Sequence, residues 1–190
     1  MRVIEVRPGG RRRIDRVLDP AYVRDLSALS LEQLRERRDD AAQEETDLSY
    51  LRRLLHARID IVKAEQQRRS TGGQSSIVEQ LATILSDNAL RPARGSGRHQ
   101  ALEPSRAGEH RRQAEALVGN SDLTDVGTLS DEKLAETLRE YTDEESSVST
   151  RRRQVQAVVD LFNSEIAGRY RDRTASVDDL LAAERARDDD

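Results

Sequence analysis

Residues 45–60 read ETDLSYLRRLLHARID, and residues 145–160 read ESSVSTRRRQVQAVVD. Laid over each other at an offset of 100 with no gap, they pair Glu45 with Glu145, Ser49 with Ser149, Arg52 with Arg152 and Asp60 with Asp160, while His56 meets Gln156. The match continues outward, because Leu29, Ser30, Glu32, Leu34, Glu36, Glu44, Arg53, Ala57 and Glu65 also recur 100 residues later. A whole element was therefore duplicated, not a short motif. Duplicated helices ordinarily keep their apolar positions and let the polar face drift. Here the polar face was kept.

Both copies have the pattern of long helices. Leu31 to about Arg69 contains no Gly or Pro, and Leu34, Leu48, Leu51, Leu55, Ile59 and Val62 recur at helical spacing. Ser30 is placed to cap the first helix, with Glu32 and Gln33 in the first turn, and Gly72 and Gly73 end it. Ser130 opens the second helix in the same way, and no Gly interrupts it before Gly168. The fold expected is all-α, a long antiparallel helical hairpin (coiled coil) of helix 31–69 against helix 130–168, with short accessory helices and flexible termini.

The chain divides accordingly. Residues 1–19 read as a flexible N-terminal arm, and 20–69 as a short helix from Pro20 to about Leu29 plus the first long helix. Residues 70–129 form a connecting segment, with short helices at Ser76–Leu90 and Gly108–Val118 around a loop at Arg91–Ser105. Residues 130–169 are the second long helix, and 170–190 a short helix around Leu180 and an acidic tail.

Composition agrees with a thin helical assembly. Hydrophobic residues make up 35% of the 190 and charged residues 36%, and only five are aromatic, so a thick core is excluded. A net charge of −4 argues against a general affinity for nucleic acid. The absence of cysteine removes disulfides, thiolate metal sites and thiol nucleophiles. No apolar run approaches the length of a membrane span, and the N-terminus has no signal-peptide core, so the expected location is cytoplasmic.

Spacings of 4, 3, 4 and 4 put the five repeated polar residues within an arc of roughly 80° and along a strip about 22 Å long. The apolar residues cluster about 100° to one side. Each helix thus carries an apolar seam beside a polar ribbon. Packing the seams together in a hairpin makes the ribbons antiparallel neighbours about a pseudo-twofold axis. Arginine forks suit guanine N7 and O6 or phosphate, carboxylates accept guanine N–H groups, and serine donates one further bond. A ligand with twofold symmetry, two guanines and a diphosphate ring matches that set, and cyclic-di-GMP is such a molecule.

The spacing Glu-x3-Ser-x2-Arg-x3-Gln-x3-Asp, complete at 145–160 and carrying His56 in the Gln place at 45–60, resembles the signature of the RsiG family of anti-sigma factors. The resemblance covers both long helices, about 75 residues. It implies a monomeric hairpin that binds a cyclic-di-GMP dimer, two molecules, and sequesters a sigma factor of the WhiG type in a heterodimer until the second messenger falls. The residues it implicates are Glu45, Ser49, Arg52, His56, Asp60, Glu145, Ser149, Arg152, Gln156 and Asp160. Arg52 and Arg152 would supply the forks, Asp60 and Asp160 would accept guanine N–H groups, Ser49 and Ser149 would meet phosphate or ribose, and Glu45 and Glu145 would bond ligand or orient the arginines.

Blander readings compete. The strip could be the solvated face of a ligand-independent coiled-coil adaptor, its charges tied in i,i+4 pairs worth about 0.2–0.5 kcal/mol each. Ser and Asp are weak helix formers, so propensity alone would not have kept them in both copies. His56 with Asp60 is half of a metal site at most. Arg151 to Arg153 has no helix-turn-helix spacing or aromatic platform beside it, which argues against direct DNA binding. No nucleophile, base or metal cluster suggests an enzyme, a phosphodiesterase included.

Overall fold

The computed structural model describes residues 6–72, 103–106, 108 and 123–172. Among these there is no strand. Helix α1 is Arg13–Val17, the two long helices are α2, Leu31–Ser70, and α3, Asp131–Arg171, and short 3-10 turns occupy Pro20–Val23, Leu26–Ala28 and Leu123–Thr128. The two long helices pack against each other, as the duplicated pattern predicts.

The serines begin both helices. Ser30 Oγ accepts from the Gln33 N–H at 3.1 Å while Gln33 Oε1 accepts from the Ser30 N–H at 2.8 Å, a reciprocal capping box. Ser130 Oγ accepts from the Lys133 N–H at 3.2 Å, but lysine has no acceptor to return, so only half the box was retained. α2 stops where Gly72 takes a left-handed conformation, φ +77°, that costs glycine nothing.

The seam falls where expected. α2 buries Leu34, Leu48, Leu51, Leu55, Ile59 and Val62, and α3 buries Leu134, Tyr141, Val148, Val155, Val159, Phe162 and Ile166. Spacings of three and four alternate along both helices until Leu51, Leu55 and Ile59, where two steps of four follow one another.

The chain falls into two units. In the first, Glu45–Arg152, α2 and α3 run antiparallel. Arg69 near the end of α2 reaches Asp131 Oδ1 at 2.6 Å and the Gly127 carbonyl at 3.1 Å, at the start of α3. The connecting segment is latched here too. Asp47, fully buried, accepts from the Ser105 N–H and Oγ, both at 2.6 Å. Two residues on from Glu45, Asp47 points about 160° away around the helix axis, beyond the seam from the polar ribbon.

In the second unit, Val6–Glu44 with Arg153–Asp190, α2 and α3 are again antiparallel around a cluster of Leu34, Phe162 and Ile166. Tyr22 stands edge-on to Phe162 with ring centroids 5.7 Å apart, and its hydroxyl donates to the Arg37 carbonyl at 2.8 Å. Tyr22, Val23, Leu26 and Leu29 all pack on this cluster.

Three expectations need correction. Pro20 to Leu29 is not a continuous helix but two 3-10 turns separated by Asp25 in a left-handed conformation, φ +53°. Across this break the chain still brings Tyr22, Val23, Leu26 and Leu29 onto the cluster. The predicted cap at Asp19 holds, its carboxylate accepting from the Ala21 N–H at 2.8 Å. Next, the arm 1–19 is folded over its described part, 6–19. Ile14 and Val17 are buried, and Asp15 ties the loop by accepting from the Arg7 N–H at 2.8 Å and from Arg12 Nε at 2.8 Å. A Cβ at Gly10 would run into that carboxylate and the Arg7 carbonyl. Finally, α3 continues past Gly168 to Arg171, because its last turn is anchored. Arg169 donates to the Leu29 carbonyl at 2.6 Å and the Leu26 carbonyl at 2.9 Å, and Arg35 donates to the Tyr170 hydroxyl. The helix expected at Ser76–Leu90, that at Gly108–Val118 apart from Gly108 itself, and the turn around Leu180 lie outside the described residues.

Two predictions follow from the buried carboxylates. Asp47→Ala removes the acceptor of the connecting segment, and urea denaturation should show a loss of roughly 1–2 kcal/mol, with faster proteolysis between residues 70 and 129. Hydrogen bonds from Arg68, opposed by burial and aided by Arg69, hold Glu65 at about 2, and Arg12 does the same for Asp15. Both pKa values are depressed on folding, so their stabilisation is present above the ordinary carboxylate range and is lost as pH falls from about 4.5 towards about 2. Melting temperatures measured across that window should fall less steeply in Glu65→Gln.

Candidate functional site

In the first unit the two ribbons face each other, and their residues bond in a pattern that repeats about a pseudo-twofold axis. Within each copy the serine donates one turn back to its own glutamate, Ser49 Oγ to Glu45 Oε1 at 2.8 Å and Ser149 Oγ to Glu145 Oε1 at 2.7 Å. Between copies the arginines cross. Arg52 Nε donates to Glu145 Oε1 at 2.9 Å, and Arg152, through a terminal guanidinium nitrogen, to Glu45 Oε1 at 3.0 Å. Antiparallel pairing makes this exchange possible, since Glu and Arg lie on opposite sides of the axis in each copy and so meet the other copy's Arg and Glu.

The two halves differ in detail. The Arg52 Nε–H is shared with Ser149 Oγ at 2.9 Å, and His56 Nε2 stands 3.0 Å from Glu145 Oε1. Burial acts to raise the Glu145 pKa, but the hydrogen bonds from Ser149 and Arg52 and the charges of His56 and Arg52 outweigh it and hold the group below the usual range. An ionised carboxylate only accepts, so His56 Nε2 is the donor in this contact. In the other half, Arg152 Nε is buried and has no hydrogen-bond partner among the described residues.

Eight of the ten residues singled out from the sequence therefore lie in this unit, with Asp60 one turn beyond His56 on α2. Gln156 and Asp160 belong to the second unit, where Gln156 Nε2 donates to Asp160 Oδ1 at 3.0 Å. His56 does not copy its twin, because it turns to the opposite helix instead of to Asp60's position. Each glutamate hydrogen-bonds the arginine of the other copy. Sequence reading missed Asp47. The signal was present, since an aspartate inside a helix opposite Ser147 in the second copy has no propensity to recommend it. Among the described residues no cluster of His, Cys, Asp and Glu is suited to a metal ion.

The structure is thus a duplicated helical hairpin that brings two copies of one polar ribbon together. The chain belongs to the RsiG-like family, whose model matches residues 20–85 and 120–185. No curated protein matches the chain. The family suggests an anti-sigma role, with a sigma factor as partner, in place of catalysis. No described helix is long and apolar enough to cross a membrane.

Replacing the hub carboxylate tests the network. Glu145→Gln should be less stable than the parent at neutral pH. Because the folded pKa is lowered, the gap should narrow as pH falls below the ordinary glutamate value and through the lowered one. Denaturation curves at pH 7 and pH 3 would give the comparison.

Proposed function

We propose that this protein is an anti-sigma factor gated by cyclic-di-GMP, which binds two molecules of the dinucleotide on the paired ribbons and then sequesters a WhiG-type sigma factor in a one-to-one complex, repressing its transcription until the messenger falls. The observation that carries this reading is the crossed Arg–Glu exchange built by the two copies of the motif. It places two guanidiniums, two hydroxyls and two carboxylates side by side about a pseudo-twofold axis. Those groups fit the ligand. Guanidinium forks suit guanine edges and phosphates, and the carboxylates suit guanine N–H groups. The buried Nε–H of Arg152 adds a donor still in need of an acceptor.

Asp60, His56, Gln156 and Asp160 complete the proposed contacts by their place in the motif. The ligand would draw the arginines from their glutamates, and its negative charge would replace that of the carboxylates. Four phosphates on two ligands repel one another, and a thin hairpin offers one wall. A sigma factor covering the ligands supplies the other wall, so each raises the affinity of the other by the same factor.

A second reading has its own observation. The motif groups satisfy one another well as they stand, which is also what staples of a ligand-independent adaptor would do. Calorimetry separates the two. Cyclic-di-GMP should bind the chain, alone or with the sigma factor, and Arg52→Ala or Arg152→Ala should weaken binding by at least about tenfold, roughly the 1.4 kcal/mol of a charged hydrogen bond. Titrating the sigma factor with and without the dinucleotide should give different affinities. Equal affinities would favour the adaptor.

A further inference from the structure

We infer that the two half-sites are unequal, that the half centred on Arg152 takes ligand first, and that His56 is the residue that holds the other half back. This rests on the cyclic-di-GMP reading above and deepens it.

The inequality lies in what each arginine must release. Arg52 shares its Nε–H between Glu145 Oε1 and Ser149 Oγ, and that same carboxylate oxygen also takes Ser149 Oγ and His56 Nε2. Three donors thus converge on one oxygen of Glu145, and freeing Arg52 disturbs all of them. Glu45 Oε1 receives Ser49 Oγ and one terminal nitrogen of Arg152. Arg152 gives up one bond on swinging out, and its buried Nε–H, without a partner among the described residues, gains an acceptor. An exchange that ends with more hydrogen bonds satisfied is favoured over one that ends with fewer.

His56 is where the copies diverge within the motif, and its bond to Glu145 crosses between helices. Its counterpart Gln156 bonds instead along its own helix, to Asp160. The third donor on Glu145 is thus a consequence of the His-for-Gln difference. His56→Gln should turn the side chain towards Asp60, leave Glu145 with two donors as Glu45 has, and bring the halves closer to equality.

Calorimetric titration of cyclic-di-GMP into the full chain, saturated with the sigma factor if the chain alone is silent, decides the matter. Two steps are expected, separated by at least about tenfold beyond the statistical factor, the net worth of one hydrogen bond. Arg152→Ala should abolish the tighter step and Arg52→Ala the weaker, while His56→Gln strengthens the weaker step severalfold. Far-UV circular dichroism of each variant checks that the helices persist, and His56→Gln, a change to the residue of the other copy, keeps the test open if either arginine variant unfolds. Two equal steps, matched effects of the two arginine variants, or no change in His56→Gln would overturn the inference while leaving the ligand reading intact. No binding by the parent chain in either setting would reject both.

Discussion

Antiparallel pairing of two copies of one helix is the constraint on which the rest depends. It creates a pseudo-twofold axis at one level of the hairpin, and near that level each residue meets a residue of the opposite copy drawn from the same short sequence. Glu45 and Arg52 lie on either side of the axis, so the exchange with Arg152 and Glu145 follows from duplication plus direction. Parallel helices would have set arginine beside arginine. The serines, close to the axis, brace their own glutamates and leave the arginines as the groups that cross.

The seam between the helices is unusual in how many carboxylates it buries. Glu44, Asp47, Glu65 and Glu144 are almost fully removed from water alongside leucine and valine. Burying a carboxylate costs several kcal/mol unless charge and hydrogen bonds compensate. Asp47 has the Ser105 backbone and hydroxyl, Glu65 has Arg68 and Arg69, and Glu44 has Arg13 at 3.9 Å. Such pairs add little net stability, and none of these three joins α2 to α3, since Glu65 is held within its own helix, Asp47 by the connecting segment and Glu44 by α1.

The copies have since diverged, and the differences have physical consequences. Asp47 and Leu51 stand where the second copy has Ser147 and Arg151, and it is Asp47 that latches Ser105 while Leu51 is buried and Arg151 is half-exposed. One copy has become the dock of the connecting segment, on the side away from the ribbon. His56 in place of glutamine gives one half of the ribbon an additional tie across the helices. The site is therefore pseudo-symmetric, and a symmetric ligand would meet two different halves.

The repeat, the two long helices, their serine caps, the seam and the membership of the polar ribbon were legible in the sequence, because periodicity and capping depend on residues a few places apart. The break at Asp25 and the extension of α3 to Arg171 were not, since both answer to contacts between segments more than 100 residues apart, Tyr22 with Phe162 and Arg169 with the Leu26 and Leu29 carbonyls. Spacing alone showed which residues share a face. Only packing decided that Arg52 lies on Glu145, that His56 joins it and that Arg152 Nε remains without a partner among the described residues, because those outcomes depend on rotamers chosen across an interface to which a single helix's periodicity is blind.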